Sequence, residues 1–144
     1  MGKKKVLFLC TGNSCRSQMA EGWTRKLHGE RIEAASAGVI KHGVDPRAVK
    51  VMAEAGVDIS RQASKMLDEL PDRNFDAVIT LCDSANESCP CFPGQVIRLH
   101  QGFDDPPSLT KDAPDQESAF QVYRRVRDEI REFVQQLPEH IESR

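Results

Sequence analysis

Apolar and polar positions along the chain switch repeatedly between strand-like runs and helical spacing. Val6-Leu7-Phe8-Leu9 is a continuous apolar run that suits a strand buried on both faces, as in the middle of a parallel sheet. The polar stretch Thr11-Gly12-Asn13-Ser14 ends it. Met19, Ala20, Trp23 and Leu27 then recur at helical spacing and Gly29 supplies a stop, which predicts a helix over Ser17 to His28. Ile32 to Ala37 predicts a second strand. Asp45-Pro46 opens another helix, with Asp as N-cap, Pro in the first turn, Val49, Met52 and Ala53 inward and Gly56 at its end. Ser64 is placed to cap a short helix carrying Met66, Leu67 and Leu70 before Pro71. Ala77 to Leu81 and Val96 to Leu99 predict a third and a fourth strand, and the stretch rich in Asp and Pro after them reads as a loop. From Ser118 the residues Val122, Tyr123, Val126, Ile130, Phe133, Val134 and Leu137 mark a last amphipathic helix, closed by Pro138.

Strands alternating with helices imply right-handed crossovers and a parallel sheet with helices on its faces, an α/β fold. The 144 residues suit one domain spanning 1–144, and no repeat, low-complexity stretch or linker divides them. In such sheets ligands bind beyond the carboxyl ends of the strands. Cys10 follows strand one, Cys82 strand three and Asp104-Asp105 strand four, so three chemically active segments are expected at one edge.

Charge and cysteine content narrow the chemistry. Twenty Lys and Arg against 22 Asp and Glu give a net charge of -2, which removes the generic electrostatic case for nucleic acid. Behind Lys3-Lys4-Lys5 the apolar run is too short for a signal-peptide core or a membrane span, so no membrane association and a cytosolic location are expected. Thiols stay reduced there. Five cysteines then read as reactive or metal-binding groups rather than a disulfide scaffold.

Cys10-Thr11-Gly12-Asn13-Ser14-Cys15-Arg16-Ser17 places a thiol and a guanidinium six positions apart around a loop that enters a helix. Cys-x5-Arg is weak evidence as a bare pattern; its context is what carries weight. A loop at a helix N-terminus offers unpaired N–H groups and partial positive charge, which bind a tetrahedral oxyanion and favour a thiolate at Cys10. Arg16 adds a planar fork for two oxyanion oxygens. Gly12 is expected to take a backbone conformation closed to other residues, with Asn13, Ser14 and Ser17 holding the loop. The absence of GxxxxGK[ST] and GxGxxG argues against a nucleotide-binding loop.

This segment resembles the phosphate-binding loop of the low-molecular-weight protein tyrosine phosphatases. Its continuation Arg16-Ser17-Gln18-Met19-Ala20-Glu21-Gly22, with Ser36-Ala37-Gly38, is similar to the arsenate reductases built on that fold, and the likeness runs over nearly the whole chain. It implies a four-stranded parallel sheet flanked by helices, and attack by the Cys10 thiolate on an oxyanion bound by residues 11–17. A leaving oxygen departs more easily when protonated, so an acid must face Cys10. Asp104 and Asp105 are both at hand, and the resemblance assigns the role to the Asp before Pro, Asp105.

Cys82-Asp83-Ser84-Ala85-Asn86-Glu87-Ser88-Cys89-Pro90-Cys91 separates two reactions. A phosphatase needs only Cys10, whereas a reductase must supply two electrons. A second thiolate can attack the sulfur of a Cys10–arsenic adduct, expelling arsenite and leaving a disulfide, and Cys82 is the candidate. A third thiol then moves the disulfide outward, and Cys89 and Cys91 are both close enough in sequence. The six residues between Cys82 and Cys89 are similar to the spacing in thioredoxin-coupled arsenate reductases, which favours Cys89. The resemblance further implies arsenate as substrate, phosphate or sulfate as mimics, reduced thioredoxin as electron source with no bound cofactor, and a monomer. A tyrosine phosphatase remains the alternative, but Pro107-Ser108 stand where its aryl-flanking tyrosines are usual.

Zinc on Cys82, Cys89, Cys91 and His100 is a further reading, though these spacings lack the usual Cys-x2-4-Cys knuckle. Some family members hold potassium through Asn13, Ser36 and an acid at position 65. Lys65 stands there in this chain, and its ammonium is expected to supply the charge instead. His28, His42 and His140 are expected to have no functional role.

Overall fold

The computed structural model describes residues 3–83, 85, 92 and 94–142. Four strands, β1 (Lys4–Cys10), β2 (Ile32–Gly38), β3 (Ala77–Thr80) and β4 (Ile97–His100), form one sheet in the order β2-β1-β3-β4, with every pairing parallel. β1 lies inside the sheet and is buried from Val6 to Cys10, which is why its run is continuously apolar. β4 is an edge strand and alternates half-buried Ile97 and Leu99 with exposed Arg98 and His100.

The helices are α1 (Arg16–His28), α2 (Pro46–Glu54), α3 (Pro106–Leu109), α4 (Gln116–Gln135) and α5 (Leu137–Glu142), with a 3-10 turn at Leu67–Glu69. Val6, Phe8 and Ile79 point to one face of the sheet, where Met19 and Trp23 of α1, Val51 and Met52 of α2, and Tyr123, Val126 and Ile130 of α4 complete the main core. Leu7, Leu9 and Val78 point to the other, covered by Phe75, Ala85, Phe92 and the turn at Leu67. α1 ends in Arg25, Lys26 and His28, cations that complement its carboxyl-end dipole.

Strand ends and the start of α1 shift by one residue or more from the sequence expectation, and three helix signals act differently. Ser64 caps no helix; its hydroxyl instead donates to the Gly12 carbonyl at 3.3 Å and accepts from the Gly43 N–H at 3.2 Å. The long helix starts at Gln116, because Asp115 takes the cap and accepts the Ser118 N–H at 2.7 Å. Pro138 does not close it but sits in the first turn of α5, a position where its missing N–H costs nothing. The expected Asp- and Pro-rich loop also contains α3, entered through Pro106.

Register brings the chemistry together. Cys10 pairs with Gly38, Leu9 with Thr80, and Thr80 with His100, so all four strands stop at one edge.

Candidate active site

The loop between β1 and α1 is held from outside by its carbonyls. Those of Thr11, Gly12 and Ser14 accept N–H groups of Ile40, His42 and Asp45 at 3.0, 3.0 and 2.9 Å, all from the connection between β2 and α2. The Asn13 carbonyl accepts from Gln18 Nε2 at 3.0 Å. With the carbonyls turned outward, no amide N–H from Gly12 to Arg16 donates to a described carbonyl. The inner side of the loop is therefore a ring of donors at a helix N-terminus, an anion cradle.

Asn13 is its keystone. It is fully buried and takes a left-handed backbone, φ 48°, the strained conformation that the sequence reading had placed at Gly12. Its side chain donates to Ser17 Oγ and Ser36 Oγ, both at 2.9 Å, and accepts the Lys65 N–H at 2.7 Å. Gly12 is needed for space instead, since a Cβ there meets the His42 ring at 2.4 Å. Gly38 is equally constrained, with a Cβ only 2.8 Å from the Asn13 nitrogen.

Ser36 Oγ in turn donates a hydrogen bond to the buried Glu21 at 2.6 Å. The cation that answers Glu21 is Arg25, at 2.5 Å, while the Lys65 ammonium turns to the Ala63 carbonyl. The charge expected from Lys65 thus comes from α1 itself.

Arg16 is 7% exposed, donates to the Phe103 carbonyl at 3.0 Å and lies 3.6 Å from Asp105 Oδ1. Its Nε is buried without a hydrogen-bond partner among the described residues, a costly arrangement that leaves a donor available to an anion in the cradle. Asp105 precedes α3 without capping it, so its carboxylate stays free to face the cleft. Asp104 is drawn away by Arg125 at 3.1 Å. Of the two adjacent acids, Asp105 alone lines the space above Cys10.

Cys10, Cys15 and Cys82 are buried free thiols. Cys10 and Cys82 share one buried cluster, and Cys82 Sγ lies 3.1 Å from Thr11 Oγ1 and 3.4 Å from the Ala85 nitrogen. The two titrate as a pair. Hydrogen bonds from Cys10, Thr11 and Ala85, with Arg16 nearby, bring Cys82 down to about 5 against the cost of burial. The same thiol–thiol bond and burial push Cys10 up, Arg16 opposing. The opposite directions have one cause, the same interaction acting on each partner, so the pair favours a single thiolate between the two sulfurs. Burial, then Asp45, raises Cys15 and keeps it a neutral thiol.

Cys89 and Cys91 lie outside the described residues, and with them half of the zinc grouping. His100 directs its two ring nitrogens to Thr80 Oγ1 at 2.8 Å and Asp83 Oδ1 at 3.2 Å. Sequence reasoning missed His42, whose ring lies on Gly12 and lines the cleft, and Lys111 on the opposite wall. The signal for His42 was topological, because the connection after β2 leaves the same sheet edge. It also missed that Tyr123 donates to Asp45 at 2.6 Å, tying α4 to the cap of α2.

Residues 5–144 match the family described as low molecular weight phosphotyrosine protein phosphatase. An arsenate reductase of Bacillus licheniformis is 50% identical over 139 residues, covering 96% of this chain and 98% of that protein. The chain belongs to the arsenate reductase group of this family. Among solved structures, an arsenate reductase in the phosphate binding state superposes with a TM-score of 0.76 at 33% identity, over 96% of this chain and 98% of the other. The Corynebacterium glutamicum thioredoxin-dependent arsenate reductase gives 0.73 at 26% identity, over 98% of this chain and 63% of that one. The four-stranded parallel sheet flanked by helices is the fold this group shares with the phosphatases of the family. No described helix is long and apolar enough to cross a membrane.

Proposed function

We propose that this protein reduces arsenate to arsenite by a relay from Cys10 through Cys82 to Cys89, with reduced thioredoxin as electron donor and the reducing cytoplasm as its setting. The oxyanion sits in the N–H cradle of residues 11–17 with Arg16 gripping it, Nε included. Cys10 Sγ attacks arsenic, its proton crossing to Cys82, while Asp105 protonates the departing oxygen so that it leaves as water. Arsenic is still pentavalent at this point. Cys82, once it has released that proton, attacks Cys10 Sγ. The sulfur–arsenic bond breaks with its electron pair left on arsenic, which departs as arsenite, and a Cys10–Cys82 disulfide remains. Cys89 then attacks Cys82 Sγ, Cys10 leaves as thiolate, and the Cys82–Cys89 disulfide is reduced by the thioredoxin dithiol. Cys89 enters from the six-residue spacing and the family resemblance.

The observation that supports this reading over phosphate ester hydrolysis is the place of Cys82, buried in one cluster with Cys10 and with its sulfur 3.1 Å from Oγ1 of the neighbouring Thr11. A phosphatase completes its cycle with water and has no use for a second thiolate on its nucleophile. The cleft also carries no Phe, Tyr or Trp among its described lining residues, only the His42 imidazole, so an aryl ester meets no large ring to stack on. The test is arsenate-dependent NADPH oxidation with thioredoxin and thioredoxin reductase, measured beside aryl phosphate hydrolysis. Turnover of the ester alone, with no arsenate-dependent oxidation, would replace this reading with the phosphatase.

A further inference from the structure

The cleft over the cradle has a volume of about 500 Å3, and its outer wall does not end at the mouth. Asp45, Pro46, Pro107 and Lys111 also line a second depression, which adds Arg47 and Lys50. Moving outward from Arg16, the surface therefore presents Lys111 and then Arg47 and Lys50. Lys111 and Lys50 are exposed and Arg47 is half-buried.

None of these three outer cations forms a salt bridge with a described carboxylate; Lys50 lies in the field of Glu54, which Arg124 and Arg127 already hold. Lys111 makes no ion pair with a described carboxylate. Arg47 turns its guanidinium to Gln116 Oε1 at 3.4 Å and to the Tyr123 ring at 6.0 Å, and Lys50 lies over the Phe120 ring at 4.8 Å. Two carboxylates border the path, and both are engaged. Asp45 accepts the Arg47 N–H and the Tyr123 hydroxyl proton, and Asp105 faces Arg16. Four cations thus meet two carboxylates on a chain whose net charge is -2. Like charges gathered along one groove repel, and an incoming anion relieves that repulsion.

We propose that Lys111, Arg47 and Lys50 form an anion-collecting track that draws a small dianion, arsenate or phosphate, from solvent into the cradle, with Lys111 as the last station before Arg16. The proposal rests on the oxyanion reading of the loop. It also separates substrate from product by charge: arsenate arrives as a dianion and is attracted, whereas arsenous acid is neutral at physiological pH and is not retained.

The test uses the full chain with inorganic phosphate and arsenate as probes, comparing Lys111→Gln and Lys111→Glu with Lys26→Gln, an exposed lysine at the far end of α1. Two quantities are read at low and high sodium chloride: the phosphate concentration that half-protects Cys10 from alkylation, and the kcat and KM for arsenate. For Lys111→Gln at about 10 mM salt, half-protection and KM should both rise roughly 3- to 10-fold, the scale of one surface charge acting on a dianion. Lys111→Glu should raise them further. kcat should not change, Lys26→Gln should match the wild type, and the differences should shrink near 0.5 M salt, where the screening length falls to a few ångströms. Unchanged phosphate protection in Lys111→Glu at low salt overturns the proposal. So does a fall in kcat at constant KM, which places Lys111 in the chemistry instead. A wild type that fails to reduce arsenate but still loses phosphate protection on Lys111→Glu refutes the reductase reading and leaves the track standing.

Discussion

The cradle and the segment that follows β3 meet where Cys10 and Cys82 lie in one buried cluster, yet they are held in opposite ways. Residues 11–14 are tied through their carbonyls to the connection after β2 and to Gln18, and Asn13 adds three side-chain bonds in the buried interior. Cys82 is held by Thr11 and by the Ala85 nitrogen beside its partner thiol, and the next residue, Asp83, stands almost fully exposed with His100 beside it. The difference follows from the work proposed for each. A cradle meets the same tetrahedral ion in every cycle, so its donors gain from being fixed in advance. A relay thiol must exchange one sulfur partner for another, which a side chain locked on all sides cannot do.

The sharpest way to separate the two regions is to remove each sulfur. Cys10→Ser should bring arsenate turnover and aryl phosphate hydrolysis to background, because an alcohol stays protonated in this cleft. Cys82→Ser should stop arsenate turnover but spare the ester reaction. Equal loss of both in Cys82→Ser would show that Cys82 belongs to the cradle after all. Asp105→Asn, measured by the rate of the first chemical step, should cost about 10² to 10⁴, the usual worth of a general acid. Asp104→Asn should leave that rate nearly unchanged, since Asp104 is turned to Arg125.

Asn13→Ala tests the rigid side. It deletes three buried hydrogen bonds and a residue type suited to a positive φ, and urea titration should show a loss of about 2 to 4 kcal/mol with a higher KM for arsenate. Thr11→Val tests the loosely held side and should move least. It removes a donor to the Cys82 sulfur, so the pH at which Cys82 becomes alkylatable should rise from about 5 while stability stays close to wild type. The sign follows from the hydrogen bond: a donor stabilises the thiolate, so its loss reduces the ionised fraction at pH 6. No rise would mean that Cys10 and the Ala85 N–H alone hold that charge.

Much of this was legible in the chain. Val6 to Leu9 predicted a central strand because burial on both faces leaves no polar position, and Asp45-Pro46 predicted a helix start because a cap and a proline act locally. Local rules failed where a distant group competed. Ser64 has the chemistry of a cap, but the Gly12 carbonyl and Gly43 N–H took its hydroxyl. Gly12 has the freedom for a strained backbone, but the strain went to Asn13, whose side chain is repaid by Ser17, Ser36 and Lys65.

The sequence by itself determined the alternation of strands and helices, the thiol and guanidinium of the loop, and the acid before Pro106, because these depend on neighbours along the chain. Only the tertiary structure decided that Cys82 is buried beside Cys10, which of two acids faces the cleft, that Arg25 rather than Lys65 answers Glu21, and that His42 and Lys111 line the cleft. The reason is range. Hydrogen bonds within a loop are encoded in a few consecutive residues, whereas a titrating pair such as Cys10 and Cys82 depends on groups brought together by sheet register across 72 positions of the numbering.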